Sequence, residues 1–250
     1  MSGTVHIERP SNGVVRLVID NPPMNPLGLA MRASFMRVLD EVEADGDLRA
    51  IIVTGRGRAF CSGDDLKDAS PEAADKAGFG LLLERLDATR APVIAAINGW
   101  CAGGGFELAL CCDIRIASSE AKFICAGVNM GLMASAYRLP RLIGVSRAKA
   151  MLLTGLPHDA DTAERYGLIT GVHAPQDLEA AALALAERVA SRAPLSVEAT
   201  KRIASRAPSL SPEDAETAQA KELRVLRHSR DHQEAVTAFR EKREPSFTRS

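Results

Sequence analysis

Two stretches of this chain combine residue types that can act on a carbonyl group. The first is Gly55-Arg56-Gly57-Arg58-Ala59-Phe60-Cys61-Ser62-Gly63-Asp64-Asp65-Leu66. The second is Asn98-Gly99-Trp100-Cys101-Ala102-Gly103-Gly104-Gly105-Phe106-Glu107-Leu108. In each, an apolar run (residues 51–54 and 93–97) feeds a tight turn of small residues that opens a helix. Glycines at such turns let the backbone take unusual φ values and approach a ligand closely. Amides at a helix start have no partner inside the helix and favour negative charge. Two of them aimed at one oxygen make an oxyanion hole, where losing one donor costs about 3–4 kcal/mol of transition-state stabilisation. Glu107 stands just behind the triple glycine, placed either for acid–base chemistry or simply to sit against the positive helix end.

Other chemistries lack their signatures. The triple glycine does not have the G-x-G-x-x-G spacing of a dinucleotide fingerprint, and no acidic residue ends a following strand. Neither a Walker loop nor a G-x-S-x-G elbow is present. The cysteines (Cys61, Cys101, Cys111, Cys112, Cys125) are odd in number and two are adjacent, which suits reduced, buried thiols better than a disulfide framework. Cys61 and Cys101 flank the turns without a basic partner in sequence and read as packing thiols. No cysteine pair has the short spacing of metal ligands and the histidines lie far from the cysteines, so no metal site is expected. His158 and His173 are placed in surface loops, and Arg138, Arg141 and Arg147 on a structural charged face. A net charge of −1 offers no field for nucleic acid or an acidic membrane. No apolar stretch is long enough to span a bilayer, and the first residues hold no apolar signal core. A cytoplasmic protein is expected.

The elements that must position these residues change character along the chain. In its 250 residues, 46% are apolar but only 4% aromatic, so the core must rest on Leu, Ile, Val and Ala. Strands are expected at 5–8, 14–19, 51–54, 93–97, 114–116 and 122–124, with helices at 27–44, 72–90 and 104–112. From about Ala134 strands are expected to disappear. Helical spacing recurs there at 136–143, 146–154, 161–166, 177–192, 195–206, 212–228 and 231–242. The shift suggests an α/β core plus a helical cap or assembly module, with the core expected over 1–190 and the helical region over 191–250.

Taken in order, these blocks resemble the crotonase (enoyl-CoA hydratase/isomerase) family over nearly the whole chain. Asn21-Pro22-Pro23, Asn25-Pro26-Leu27, the two glycine motifs and Cys112-Asp113-Ile114 carry the likeness. So do Arg138-Leu139-Pro140-Arg141-Leu142-Ile143-Gly144, Leu153-Thr154-Gly155, Tyr166-Gly167-Leu168 and the tail from Glu234 to Phe247. The resemblance implies a β-β-α spiral core with a C-terminal helical trimerisation region, assembling as a homotrimer or dimer of trimers. It implies an acyl-CoA substrate, with coenzyme A as part of that substrate and no permanently bound cofactor. It places the oxyanion donors at the backbone N–H groups of Asp64 and Gly104, and an acid/base at Glu107. Asp64 stands where the family has a small or apolar residue, so its carboxylate should turn away from the hole. Ser62, Asp64, Asp65, Leu66 and Gly104 become substrate contacts. Asp65 alternatively serves as a helix-start residue. Lys242 and Arg243 could meet a CoA phosphate, or form a solvated helix end.

One departure matters. The family's second catalytic glutamate aligns with Gly127, and no carboxylate occurs between Glu120 and Asp159. The turn that follows, Met130 to Tyr137, is shortened. Tyr137 or Ser135 could supply a polar group instead, although Tyr137 also fits a packing role. An enoyl-CoA hydratase-like lyase is therefore the leading expectation. Another crotonase-type reaction (isomerase, decarboxylase, dehydratase) and a non-catalytic acyl-CoA-binding protein remain as alternatives.

Overall fold

The computed structural model describes residues 3–67 and 78–250. Strands β1 (Thr4–Ser11) and β2 (Val14–Asp20) form an antiparallel hairpin, followed by helix α1 (Leu29–Glu43). The chain then repeats one unit. A long strand enters a six-stranded sheet, and the short strand after it crosses into a four-stranded sheet. These pairs are β3 (Ala50–Gly55) with β4 (Ala59–Cys61), β5 (Val93–Ile97) with β6 (Trp100–Ala102), and β7 (Ile114–Ser118) with β8 (Lys122–Ile124). Helix α2 (Phe79–Ala88) follows the first pair and α3 (Gly104–Leu110) the second. This is the expected β-β-α spiral. Of the helix expected over 72–90, residues 72–77 lie outside the described ones.

Helices α4 (Arg138–Ile143), α5 (Val145–Thr154), α6 (Ala160–Tyr166), α7 (Leu178–Ala190), α8 (Pro194–Arg206), α9 (Pro212–Leu226) and α10 (Arg230–Glu241) complete the chain. Two short strands interrupt them, contrary to expectation. Strand β9 (His158–Asp159) pairs antiparallel with β8, and β10 (Val172–His173) pairs parallel with β7. His158 and His173 are therefore strand residues rather than loop residues. Pairings of two residues are too short to show an alternating pattern, so tertiary contacts decide them.

Strands β3 and β5 are covered on both faces, which is why each is a continuous apolar run. Ile51, Val53, Val93, Ala95 and Ile97 join the main core with Phe35, Leu39 and Phe60. Ile52, Ile94 and Ala96 face a smaller core closed by Leu178, Ala182 and Ala186 of α7. Helix α1 lays Met31, Phe35, Val38, Leu39 and Val42 against the main core, and Arg32 is buried with them.

The last helices are joined to the core through charge. Lys201 Nζ of α8 lies 2.8 Å from Asp113 Oδ2, which also accepts the Val93 amide at 2.7 Å. Glu198, almost fully buried, takes Arg90 at 3.0 Å and Arg249 at 2.8 Å. Asp231 accepts the amides of Thr248 and Arg249 at 2.7 and 3.0 Å, folding the tail back onto α10. Burial alone would raise the Glu198 carboxyl, but its bonds to Arg249 and then Arg90 outweigh burial and hold it below its ordinary 4.5. A carboxyl lowered on folding contributes stability that is full above its unfolded value and lost as pH falls through its folded one. Glu198→Gln should therefore cost about 2–4 kcal/mol near neutrality, because it leaves two cations with a broken pair. The gap between variant and native protein in urea unfolding should close as pH drops below about 4.5. A gap that stays constant down to pH 3 would show that charge is not the source.

Candidate active site

Strands β4 and β6 are parallel neighbours, with Cys61 opposite Cys101, so the two glycine turns leave the sheet side by side. They then touch. A Cβ on Gly63 would overlap the Gly104 nitrogen and lie 2.9 Å from the Gly104 Cα. Gly63 also has φ +92°, a conformation that disfavours any side chain. Asp64 and Gly104 thus carry their amides on two backbones in contact, and among the described residues neither amide has an acceptor. Phe79 closes over the second turn: a Cβ on Gly104 would come within 2.6 Å of its ring. The Asp64 carboxylate turns to Arg32, which donates Nη2–H to Oδ1.

Glu107 lies in the helix that Gly104 opens, with its amide bonded to Gly103 O at 3.2 Å. Its carboxylate Oε1 accepts the backbone N–H of Ser135, a buried residue held at φ +59°. The segment after β8 packs beside it: Gly103 N donates to Ile124 O at 3.1 Å. Burial first, and then the charge of Glu107, push the Cys125 thiol up to about 12. Gly127 comes next, and its space is already taken. A Cβ there would lie 2.9 Å from Ala134 N and 3.1 Å from Leu132 O. The shortened turn therefore folds down onto Gly127 and is tied to it, with Leu132 N donating to Gly127 O at 2.8 Å.

The remaining residues singled out from sequence are spread more widely. Ser62 donates its amide to Met24 O at 3.0 Å. Asp65 accepts the Lys67 amide at 3.1 Å, a local turn bond, and Leu66 is 65% exposed beside it. Tyr137 faces outward, its ring 5.0 Å below the Arg141 guanidinium. It lines a cavity of about 850 Å³ with Cys111, Arg138 and Lys201. Lys242 ends α10, and Arg243 is committed to Glu234 at 2.6 Å and Glu241 at 2.7 Å. That pairing with Arg243 holds the Glu234 carboxyl down at about 2. All five cysteines are buried, and burial pushes Cys61 up to about 12, so none is poised as a nucleophile.

Three residues of the site went unnoticed or unassigned. Arg32 occupies an apolar-stripe position of α1, three before Phe35 and seven before Leu39, and a cation there is a legible signal. Phe79 carries no polar group that would single it out in the sequence. Ser135 acts through its amide, which no residue type announces.

Comparison with known proteins is consistent over the full length. The enoyl-CoA hydratase/isomerase family model matches residues 9–250. The (E)-benzylidenesuccinyl-CoA hydratase of Thauera aromatica is 38% identical over 95% of this chain and 96% of its own. The short-chain-enoyl-CoA hydratase of Clostridium acetobutylicum is 35% identical over 92% and 93%. Among solved structures, an enoyl-CoA hydratase from Bacillus anthracis superposes with a TM-score of 0.95 at 32% identity, covering 99% of this chain and 100% of that one.

The packing at Gly127 yields a stability test. Gly127→Glu must move the backbone at 132–134, an overpacking that costs about 1–3 kcal/mol. Tm should fall by roughly 2–10 °C in a chain of this size. A variant as stable as the native chain would mean that the turn yields freely.

Proposed function

Because the chain belongs to the enoyl-CoA hydratase/isomerase family, we propose that it hydrates a 2-enoyl-CoA by way of a thioester enolate. The contact between Gly63 and Gly104 carries this reading. In this reading the amides of Asp64 and Gly104, on two backbones in contact and without acceptors among the described residues, both donate to one thioester oxygen as it gains charge. Glu107, on the helix behind that contact, serves as acid and base. Its second carboxylate oxygen is left for water, while Oε1 is held by the Ser135 amide. Glu107 takes a proton from water as the oxygen adds to C3, and the enolate oxygen rests on the two amides. The same carboxyl then returns the proton to C2, so one water is added and Glu107 is restored. One residue doing both transfers is slower than two, each already in the right state.

Coenzyme A enters as part of the substrate, and no bound cofactor is required for this sequence of steps. Ser62, Asp65 and Leu66, next to the first amide, are the proposed contacts for the rest of the thioester; Lys242 and Arg243 would meet it only at a subunit boundary. Tyr137 is a weaker candidate for chemistry. Among the described residues no helix is long and apolar enough to cross a membrane, and the cytoplasm is the proposed location. One observation favours a second reading. With no side chain at Gly127, an enolate reaction that needs a single proton carrier, such as decarboxylation, suits the site as well.

Glu107→Gln keeps shape but cannot shuttle the proton, so turnover should fall by about 10²–10⁴-fold with thioester binding retained. The assay should span crotonyl-CoA, an aromatic enoyl-CoA, a 3-hydroxyacyl-CoA and malonyl-CoA. Fast hydration that survives Glu107→Gln would move the chemistry elsewhere, with Tyr137 the next residue to replace. Tight binding without turnover on any thioester would favour a binding protein.

A homotrimer or dimer of trimers is proposed as well. Val128, Met130, Leu132 and Met133 are 45–84% exposed on one short segment, and Phe239 of α10 is 85% exposed. Apolar surface of that kind is normally covered by a partner. Light scattering at micromolar concentration should report at least three copies of the chain; a monomer at that concentration would refute the assembly.

A further inference from the structure

Helix α1 buries one cation in its apolar stripe. Arg32 is 8% exposed, among Met31, Phe35 and Leu39. A methionine at such a position would pack without desolvating a charge, so the cation calls for a reason. Its contacts supply one. Arg32 Nη2 donates to the carboxylate of Asp64, the residue whose amide forms one side of the proposed oxygen site. Arg32 Nε donates to Leu27 O at 2.7 Å, and Leu27 N donates to Gly63 O at 2.7 Å. A closed loop of bonds therefore joins α1 to the turn at Gly63-Asp64 from both sides. The other face of the guanidinium lies 4.9 Å from the centre of the Phe79 ring. Phe79 is the side chain pressed against Gly104. One arginine thus touches what holds each of the two amides.

Charge gives this arrangement a consequence. Asp64 contributes an amide that should attract an oxyanion, yet it carries a carboxylate that would repel one. Its side chain is 54% exposed, so solvent alone screens it only partly. We propose that Arg32 is a positioning residue of the thioester-oxygen site, acting through Asp64 and Phe79: it neutralises the Asp64 carboxylate, turns it away from the oxygen, and seats Phe79 over Gly104. The inference rests on the reading that the Asp64 and Gly104 amides receive that oxygen.

Removing the cation should expose the developing oxyanion to an uncompensated charge a few ångströms away. At an effective dielectric of about 20, this amounts to roughly a 10–100-fold loss in rate. Arg32→Met, close in length and apolar, should lower kcat by that factor with KM changed less than about threefold. Combining it with Asp64→Asn removes the charge left behind and should recover most of the loss. Arg32→Lys, which keeps the charge, should lie between native and Arg32→Met. A purely structural role predicts the opposite pattern: Asp64→Asn would give no recovery, and kcat would follow Tm across the series. That outcome, or native kcat in Arg32→Met, overturns the proposal.

A second measurement does not depend on turnover. Acetoacetyl-CoA bound as its enolate has its own ultraviolet band, and the fraction bound as enolate reports the field at the oxygen. Native protein should show the band, Arg32→Met should show it weakened about tenfold or more, and the double variant should regain it. Should Arg32→Met not fold, Arg32→Gln, which also removes the cation, decides with and without Asp64→Asn by the same recovery. Native protein that turns over enoyl-CoA but shows no recovery in the double variant defeats this inference alone. Native protein that neither turns over nor binds any acyl-CoA defeats the thioester reading and this inference with it.

Discussion

The contact between the backbones at Gly63 and Gly104 governs the rest of the site. No side chain fits between them, so the turns can meet only if both positions lack a Cβ. The sheets must then deliver the turns to the same place. Parallel pairing of β4 with β6 does this in one direction. In the other, the amide side chains of buried Asn25 and half-buried Asn98 fix the corner before β4. Asn25 Nδ2 donates to Arg56 O at 3.0 Å and to Ala59 O at 2.7 Å, and Asn98 Nδ2 donates to Gly57 O at 2.8 Å. Gly55 N returns a bond to Asn98 Oδ1 at 3.1 Å. What these asparagines hold is the path of the chain. Buried polar side chains of this kind are tolerated because their partners are all present.

From that contact the electrostatics follow in order. Among the described residues the amides of Asp64 and Gly104 have no acceptor. Helix α3 begins at one of these amides, so the first-turn carboxylate of Glu107 is carried to the same neighbourhood. Glu107 would gain from the positive helix end wherever it pointed. The Ser135 amide makes it point one way, toward the segment that follows β8.

Much of this was legible from residue types, and the exceptions have physical causes. Strands β3 and β5 showed as apolar runs because both their faces are covered. The short strands β4 and β6 did not, because glycines and small residues hide any alternation there. Strands β9 and β10 could not, since two-residue pairings are chosen by what packs against them. Within the site, Glu107 and the glycine turns carry their chemistry in side-chain identity or its lack. Ser135 acts through a backbone group that every residue but proline owns, so its role depends wholly on folding. Arg32 lay between these cases: a charge in an apolar stripe was visible, but its partner lies in a different motif.

The absence of a side chain at Gly127 and the orientation of Glu107 are two results of one packing event. The turn after Gly131 comes down onto Gly127 closely enough that Ala134 N and Leu132 O would crowd a Cβ. The next residue in that same turn, Ser135, donates its amide to Glu107. A side chain at 127 would lift the turn and carry the Ser135 amide off its acceptor. The space a side chain at 127 would need is occupied by the same turn whose next amide holds Glu107. In the proposed reaction, such a site would replace a second proton carrier with a firmer hold on a single one, so the fixed geometry of Glu107 would be its main catalytic resource.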